Sequence, residues 1–210
     1  MTIKNQDSAT RKRYNRLSFI YDLVEMPMEY LSSGKSRERL GDRIRDQGRQ
    51  VLEVGVGTGK NIPYYPPDVK MTAIDFSPKM LERAKKKAVK RESPPVDLLE
   101  MDIQELAFPD DQFDMVFATF VFCSVPDPVK GLEELRRVCK PGGKLILLEH
   151  MRPGNPILGF IFDLLNPFVV RILGANINRR TKDNILAAGW KITFEENMVT
   201  DIVRWIEARP

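Results

Sequence analysis

The sequence predicts an α/β fold built on a mostly parallel sheet, on three observations. Apolar runs of strand length alternate with stretches of helical period along most of the 210 residues. The first clear run, Val51, Leu52, Glu53 and Val54, breaks into three alternating glycines, Gly55, Gly57 and Gly59. The second run, Met71 to Ile74, ends on Asp75, 22 residues after Glu53, about where the tip of the next strand falls in a βαβ unit.

Glycines at the end of a buried strand let the backbone turn sharply and let a ligand approach with no Cβ in the way, while the helix that follows offers unpaired N–H groups. An acidic residue at the tip of the next strand can hold ribose hydroxyls. The dinucleotide fingerprint G-x-G-x-x-G needs a small residue at position 60, where Lys60 stands, so the spacing here is G-x-G-x-G. With Glu53, the Gly55, Gly57 and Gly59 loop and Asp75 together, the chain resembles the class I S-adenosylmethionine (SAM)-dependent methyltransferases. That resemblance implies a Rossmann-like seven-stranded, mostly parallel sheet with helices on both faces and a C-terminal antiparallel hairpin. It also implies SAM as cofactor and S-adenosylhomocysteine (SAH) as product.

Composition bounds the alternatives. With 42% hydrophobic and 30% charged residues the chain reads as one globular domain over 1–210. Its parts are an N-terminal helical cover (1–47), a cofactor-binding core (48–150) and an acceptor-side segment with the last strands (151–210). A net charge of +4 permits contact with anionic lipid but does not imply nucleic acid. Cys123 and Cys139 lack metal-ligand spacing and read as reduced thiols, no metal site is expected, and a cytoplasmic location follows. The N-terminus shows no signal-peptide pattern, and no stretch offers the ~20 uninterrupted apolar residues of a membrane span.

Along the chain, residues 9–47 read as helical. Tyr14, Leu17, Ile20, Tyr21 and Val24 share one face, and Arg11, Lys12, Arg13 and Arg16 make a basic side. Such a helix could cover the cofactor, lie on a bilayer surface, or simply dock on the sheet with its basic side in water. Pro27 and the Ser32, Ser33, Gly34 cluster divide it from a second helix around Ser36 to Arg45. Ser77 with Pro78 starts the helix after Asp75, with Met80, Leu81, Ala84 and Ala88 as its buried stripe and lysines 85, 86, 87 and 90 in water. Val96 to Met101 reads as the third strand and Met115 to Phe120 as the fourth. A helical face at Val129, Leu132, Leu135 and Val138 is stopped by Lys140, Pro141, Gly142 and Gly143 before a fifth strand at Leu145 to Leu148. Thr181 to Gly189 reads as a helix, and Trp190 to Phe194 with Ile202 to Ile206 as a final hairpin. The stretch Pro156 to Leu173 is more apolar than a surface helix, yet is interrupted by Asp163, Asn166 and Arg171. It reads either as a wall and mouth for a lipophilic acceptor or as a helix buried on the sheet.

The resemblance assigns site residues. The cofactor would lie over the loop of Glu53, Gly55, Gly57, Thr58 and Gly59, with Tyr21 near its methionine part. Asp75 would hold the ribose, and Phe76, Met80 and Thr119 are further cofactor-binding residues. Asp102 and Ile103 would frame adenine, although Asp102 also reads as a helix N-cap. His150, the single histidine, follows the fifth strand and reads as a candidate base or acceptor-positioning group, or as a structural hydrogen bond beside Glu149; Tyr21 is a second candidate catalytic residue. The run from Phe120 to Leu145 strengthens the same resemblance. Leu147 to His150 with Asn178 to Thr181 looks like alkyl thiol methyltransferases, Glu53 to Gly57 like phospholipid N-methyltransferases, and Tyr21 with Asp22 like quinone C-methyltransferases. All three imply a small lipophilic acceptor such as a phospholipid amine, a quinone ring carbon or an alkyl thiol. The apolar stretch 156–173, paired with the Arg11, Lys12, Arg13 and Arg16 cluster, reads as a surface for peripheral contact with an anionic membrane. Thr119 to Phe122 stands where amino-group methylases of nucleic acid carry Asp-Pro-Pro-Tyr, which argues against base methylation. The reading from a different class is a nucleotide-binding α/β protein that does not catalyse.

Overall fold

The computed structural model describes residues 34–90 and 95–210. Residues 1–33 of the expected N-terminal cover, with Tyr21 and the basic cluster, lie outside the described residues.

Helix α1 (Gly34–Gln47) precedes strand β1 (Gln50–Val54). A single 3-10 turn (Ile62–Tyr64) leads to β2 (Lys70–Asp75), α2 (Pro78–Lys90) and β3 (Val96–Glu100). Then come β4 (Phe113–Thr119), α3 (Pro128–Val138) and β5 (Cys139–His150). The chain ends with α4 (Pro156–Leu173), α5 (Thr181–Ala187), β6 (Lys191–Val199) and β7 (Val203–Arg209). The seven strands form one sheet in the order β3-β2-β1-β4-β5-β7-β6. The first five pair in parallel, and β7 runs antiparallel to both β5 and β6. This is the expected architecture, with the chain reversing its direction across the sheet between β1 and β4.

Two cores explain why these segments are strands. Leu52 and Val54 of β1 point to one face with Val116, Leu145 and Leu147, against α3 and α5. Val51 points to the other with Met71, Phe117 and Ile146, against α1 and α2. A side chain as fully buried as Leu52 contributes about 1.5–3 kcal/mol, which is how parallel strands come to be apolar on both faces. Glu53 falls on the α1 side by the same alternation, so its burial follows from register.

Several boundaries differ from expectation. Strand β5 begins at Cys139, before the Pro141, Gly142, Gly143 breaker. Cys139 pairs with Phe113 and regular pairing resumes at Met115 with Lys144, so a bulge absorbs the breaker inside the strand. A Cβ on Gly143 would sit 2.8 Å from the Asp114 carbonyl, so only glycine fits this close approach. The final hairpin is as expected but longer on both strands. Helix α4 is not buried on the sheet: most of its large apolar side chains are exposed.

Candidate active site

The C-terminal ends of β1, β2 and β4 open into a cleft of about 910 Å³, its open mouth included. It lies where the strand order reverses, the place at which open α/β sheets bind ligands.

Its floor is the glycine loop. Gly55, Gly57 and Gly59 all have positive φ, at 67°, 55° and 79°. A Cβ on Gly55 would meet Val121 Cγ2 at 2.4 Å, so that glycine lets the loop pack on the segment after β4. A Cβ on Gly57 would meet nothing nearer than the Gly55 carbonyl at 4.0 Å and would occupy the cleft itself. Asp75 closes β2 beside the loop. Its Oδ2 accepts from Gly57 N and its Oδ1 from Ser77 N, both at 2.9 Å. Burial pushes its carboxyl up to about 6, against the lowering effect of those two N–H donors.

Behind the loop lies a buried polar chain. Asn61 Nδ2 donates to Glu53 Oε1 at 2.8 Å and to Thr119 Oγ1 at 3.0 Å. Tyr65 donates its hydroxyl to Glu53 Oε2, and Arg37 of α1 donates to Asn61 Oδ1. Burial raises the Glu53 carboxyl to about 7, while the Tyr65 and Asn61 hydrogen bonds and the Arg37 charge oppose the rise. The network ties α1, β1 and β4 to the loop and fixes the buried carboxylate's orientation.

The opposite wall follows β4. Phe120, a non-glycine residue at φ 58°, turns the chain sharply after the strand. Glu149 Oε1 then accepts from Val121 N at 2.8 Å and Phe122 N at 3.2 Å. From the far side Arg179 Nη2 donates to the Val125 carbonyl at 2.8 Å and to that of Cys123 at 3.4 Å. Glu149 and Arg179 thus hold residues 121–125 as a rigid wall, of which Val121, Ser124 and Val125 line the cleft with Phe120 and Pro126.

Residues 52–147 match the family model described as a methyltransferase domain. A demethylmenaquinone methyltransferase of Deinococcus radiodurans is 30% identical over 179 residues, covering 83% of this chain and 74% of that protein. The chain belongs to the SAM-dependent methyltransferases. A phosphatidylethanolamine N-methyltransferase of Cereibacter sphaeroides is 43% identical over 119 residues, 56% of this chain, and the chain spans 59% of that relative's length. The crystal structure of a SAM-dependent methyltransferase from Aquifex aeolicus has the same fold, with a TM-score of 0.64 and 23% identity over 91% of this chain and 96% of that one.

The cofactor of this methyltransferase is SAM, and the cleft has features that fit it. An ionised carboxylate has about four acceptor positions; the two N–H donors on Asp75 leave the others for vicinal hydroxyls, and bare backbone at Gly57 leaves the cleft open beside them. Of the residues expected in the site, Gly55, Gly57 and Thr58, with Asp75, Phe76 and Met80, line the cleft, as do Asp102, Ile103 and Thr119. Gly59 is packed against Ile62 and Ala84. Glu53 stands behind the loop, joined to it through Asn61. Asp102 caps a turn and not a helix: its carboxylate accepts from Gln104 N at 2.8 Å and from Gln104 Nε2 at 3.1 Å. His150 is not brought to the cleft. It ends β5 opposite Val203, buried, and desolvation lowers its imidazole to about 4, leaving it neutral and weakly basic at pH 7.

Arg37, Asn61, Tyr65 and Gln104 were absent from the sequence reading. Arg37 sits among seven other charged residues of α1, where nothing marks one arginine as buried. Asn61 and Tyr65 flank the 3-10 turn, and a polar pair so near a glycine loop was the one available signal.

Proposed function

We propose that this methyltransferase transfers the methyl group of SAM to a small lipophilic acceptor, with a phospholipid amine as the first candidate. The supporting observation is the cleft's two ends: a hydroxyl-binding carboxylate with bare backbone at one, and at the other a wall of Phe120, Val121, Val125 and Pro126. The 43% identity to a phosphatidylethanolamine N-methyltransferase favours the amine. The longer match to a demethylmenaquinone methyltransferase favours a quinone ring carbon as the second reading.

In this proposal Asp75 accepts the ribose hydroxyls, Asp102 faces the adenine amine, and Ile103, Phe76 and Met80 flank the nucleoside. Gly55 to Thr58 and Thr119 surround the amino-acid part, with Glu53 orienting the loop through Asn61. The bound cofactor supplies an already activated methyl on a sulfonium. The protein's part is to align donor and acceptor and to exclude water. The Glu149 and Arg179 contacts serve the alignment by fixing the acceptor-side wall. His150 carries no proton transfer in this scheme, and an amine acceptor enters in its deprotonated form.

Transfer of labelled methyl from SAM to phosphatidylethanolamine in mixed micelles, to demethylmenaquinone and to an alkyl thiol tests the reading. Label is expected in N-methylated phosphatidylethanolamine. Label only in the quinone establishes the second reading, and label in none of the three, with SAH bound normally, refutes a lipophilic acceptor of these classes.

A further inference from the structure

Helix α4 is built inside out. Its 18 residues span about 27 Å at 1.5 Å per residue, and its polar side chains are the ones that hold it to the protein. Asp163 accepts from Arg152 Nη2 at 2.9 Å and from Asn178 Nδ2 at 3.0 Å. Asn166 Oδ1 accepts from Ile177 N at 2.9 Å. Gly159 lets the Arg152 guanidinium lie directly on the helix, where a Cβ would come within 2.5 Å of it. Asn155 caps the start, and Gly174 at φ 79° closes the end.

The large apolar side chains point the other way. Ile157, Phe160, Leu164, Phe168 and Ile172 recur at three- and four-residue steps, with Ile161 and Leu165 beside them. Their exposures run from 42% at Ile161 to 73% at Ile157. No acidic residue stands on this face, and Arg171, the helix's one basic residue, is exposed at its C-terminal end.

We infer that this face of α4 docks on a lipid bilayer and sets the cleft mouth at the membrane surface. Three observations select the bilayer as occupant. The face is a ridge one helix wide, offering seven large apolar side chains, whereas a stable protein interface draws on about 20–30 residues a side. No helix among the described residues is long and apolar enough to cross a membrane, so the geometry suits a helix lying in the interface plane. The helix that carries the ridge is also tied, through its opposite face, to the segment that walls the cleft. Asn166 Nδ2 donates to Asn176 Oδ1 at 3.3 Å, and Asn176 donates from N and Nδ2 to the Cys123 carbonyl at 2.8 and 3.0 Å, within the wall that lines the cleft. A bilayer under the ridge would thus hold the wall, and with it the cleft, at a fixed place beside the membrane surface. The inference rests on the lipophilic-acceptor reading for its purpose, but its test uses no methyl transfer, so the two can fail separately.

The full chain is sedimented with vesicles of phosphatidylcholine and phosphatidylglycerol, neither of them an acceptor tested above. The parent is expected in the pellet, and Phe160→Ser/Leu164→Ser/Phe168→Ser should partition about tenfold or more weakly, since each buried apolar side chain adds to interfacial binding. Val89→Ser, at a residue 81% exposed on α2, should sediment like the parent. All variants should bind SAH as the parent does, which shows that the fold is kept. A parent that stays in the supernatant, or a triple variant that still pellets, overturns the inference. A lipid-independent dimer that the triple variant splits shows a second copy on the face and also overturns it. So does a lowered Tm in the triple variant with unchanged sedimentation, which would place the chain's own N-terminal residues there.

Discussion

Asp75→Ala should bind SAH at least about tenfold more weakly than the parent, because two charge-assisted hydrogen bonds, each worth about 1.5–3 kcal/mol before compensation, are removed. The same carboxylate should make binding pH-dependent. Its pKa of about 6 leaves roughly one carboxyl in ten ionised at pH 5, so affinity should fall about tenfold from pH 7 to pH 5. Stability runs the opposite way. A folded pKa above the usual 3.8 means that folding favours the protonated form, so this group's contribution is fully present below about pH 4 and is lost as pH rises through about 6. Glu53, raised to about 7 mainly by burial, adds a change of the same sign at slightly higher pH. Asp75→Asn should flatten the binding profile between pH 5 and 7 and leave the Glu53 part of the stability profile. Calorimetric titration of SAH across this range reads the binding effect and thermal melts over the same pH values the stability effect, and unaltered affinity in Asp75→Ala would remove Asp75 from the site.

The second large effect is expected from valine at two neighbouring glycines. At Gly57 the new side chain would stand in open cleft, so Gly57→Val should abolish SAH binding, at least about a hundredfold, while the fold survives with about 1–2 kcal/mol lost to the left-handed backbone. At Gly55 the Cβ already meets Val121 at 2.4 Å. Gly55→Val should therefore lower Tm far more, by overpacking worth about 1–3 kcal/mol on top of the backbone strain. Paired thermal melts and SAH titrations separate the two. Equal loss of Tm in both variants would mean that Gly57 is also a packing glycine and does not face a ligand.

The fold and the floor of the site were legible in the sequence because strand alternation, the glycine spacing and the acidic strand tip are local patterns. Asp75, Ser77 and Met80 fall where one turn of chain dictates. What escaped depends on contacts distant in sequence. Asn61 reaches Thr119 across 58 residues, and Arg37 reaches Asn61 across 24, so no window of residues contains the network. The Pro141, Gly142, Gly143 run stops a helix, as read, but a bulge against Phe113 and Met115 lets the strand begin before it. The periodicity of α4 shows that it has an apolar face and cannot show which way that face points; Asp163 and Asn166 decide it through partners at 178 and 177. His150 sat at the right strand end for a base, yet it is buried at the end of β5 and is not among the residues that line the cleft.

A crystal structure with SAH bound tests the central claim most directly. The account predicts the ribose hydroxyls on the Asp75 carboxylate at about 2.7 Å, the adenine beside Ile103 with its amine toward Asp102, and the sulfur facing the wall of Phe120 and Val121. SAH seated elsewhere, or seated in the cleft with Asp75 still bound only to Gly57 and Ser77, would contradict it.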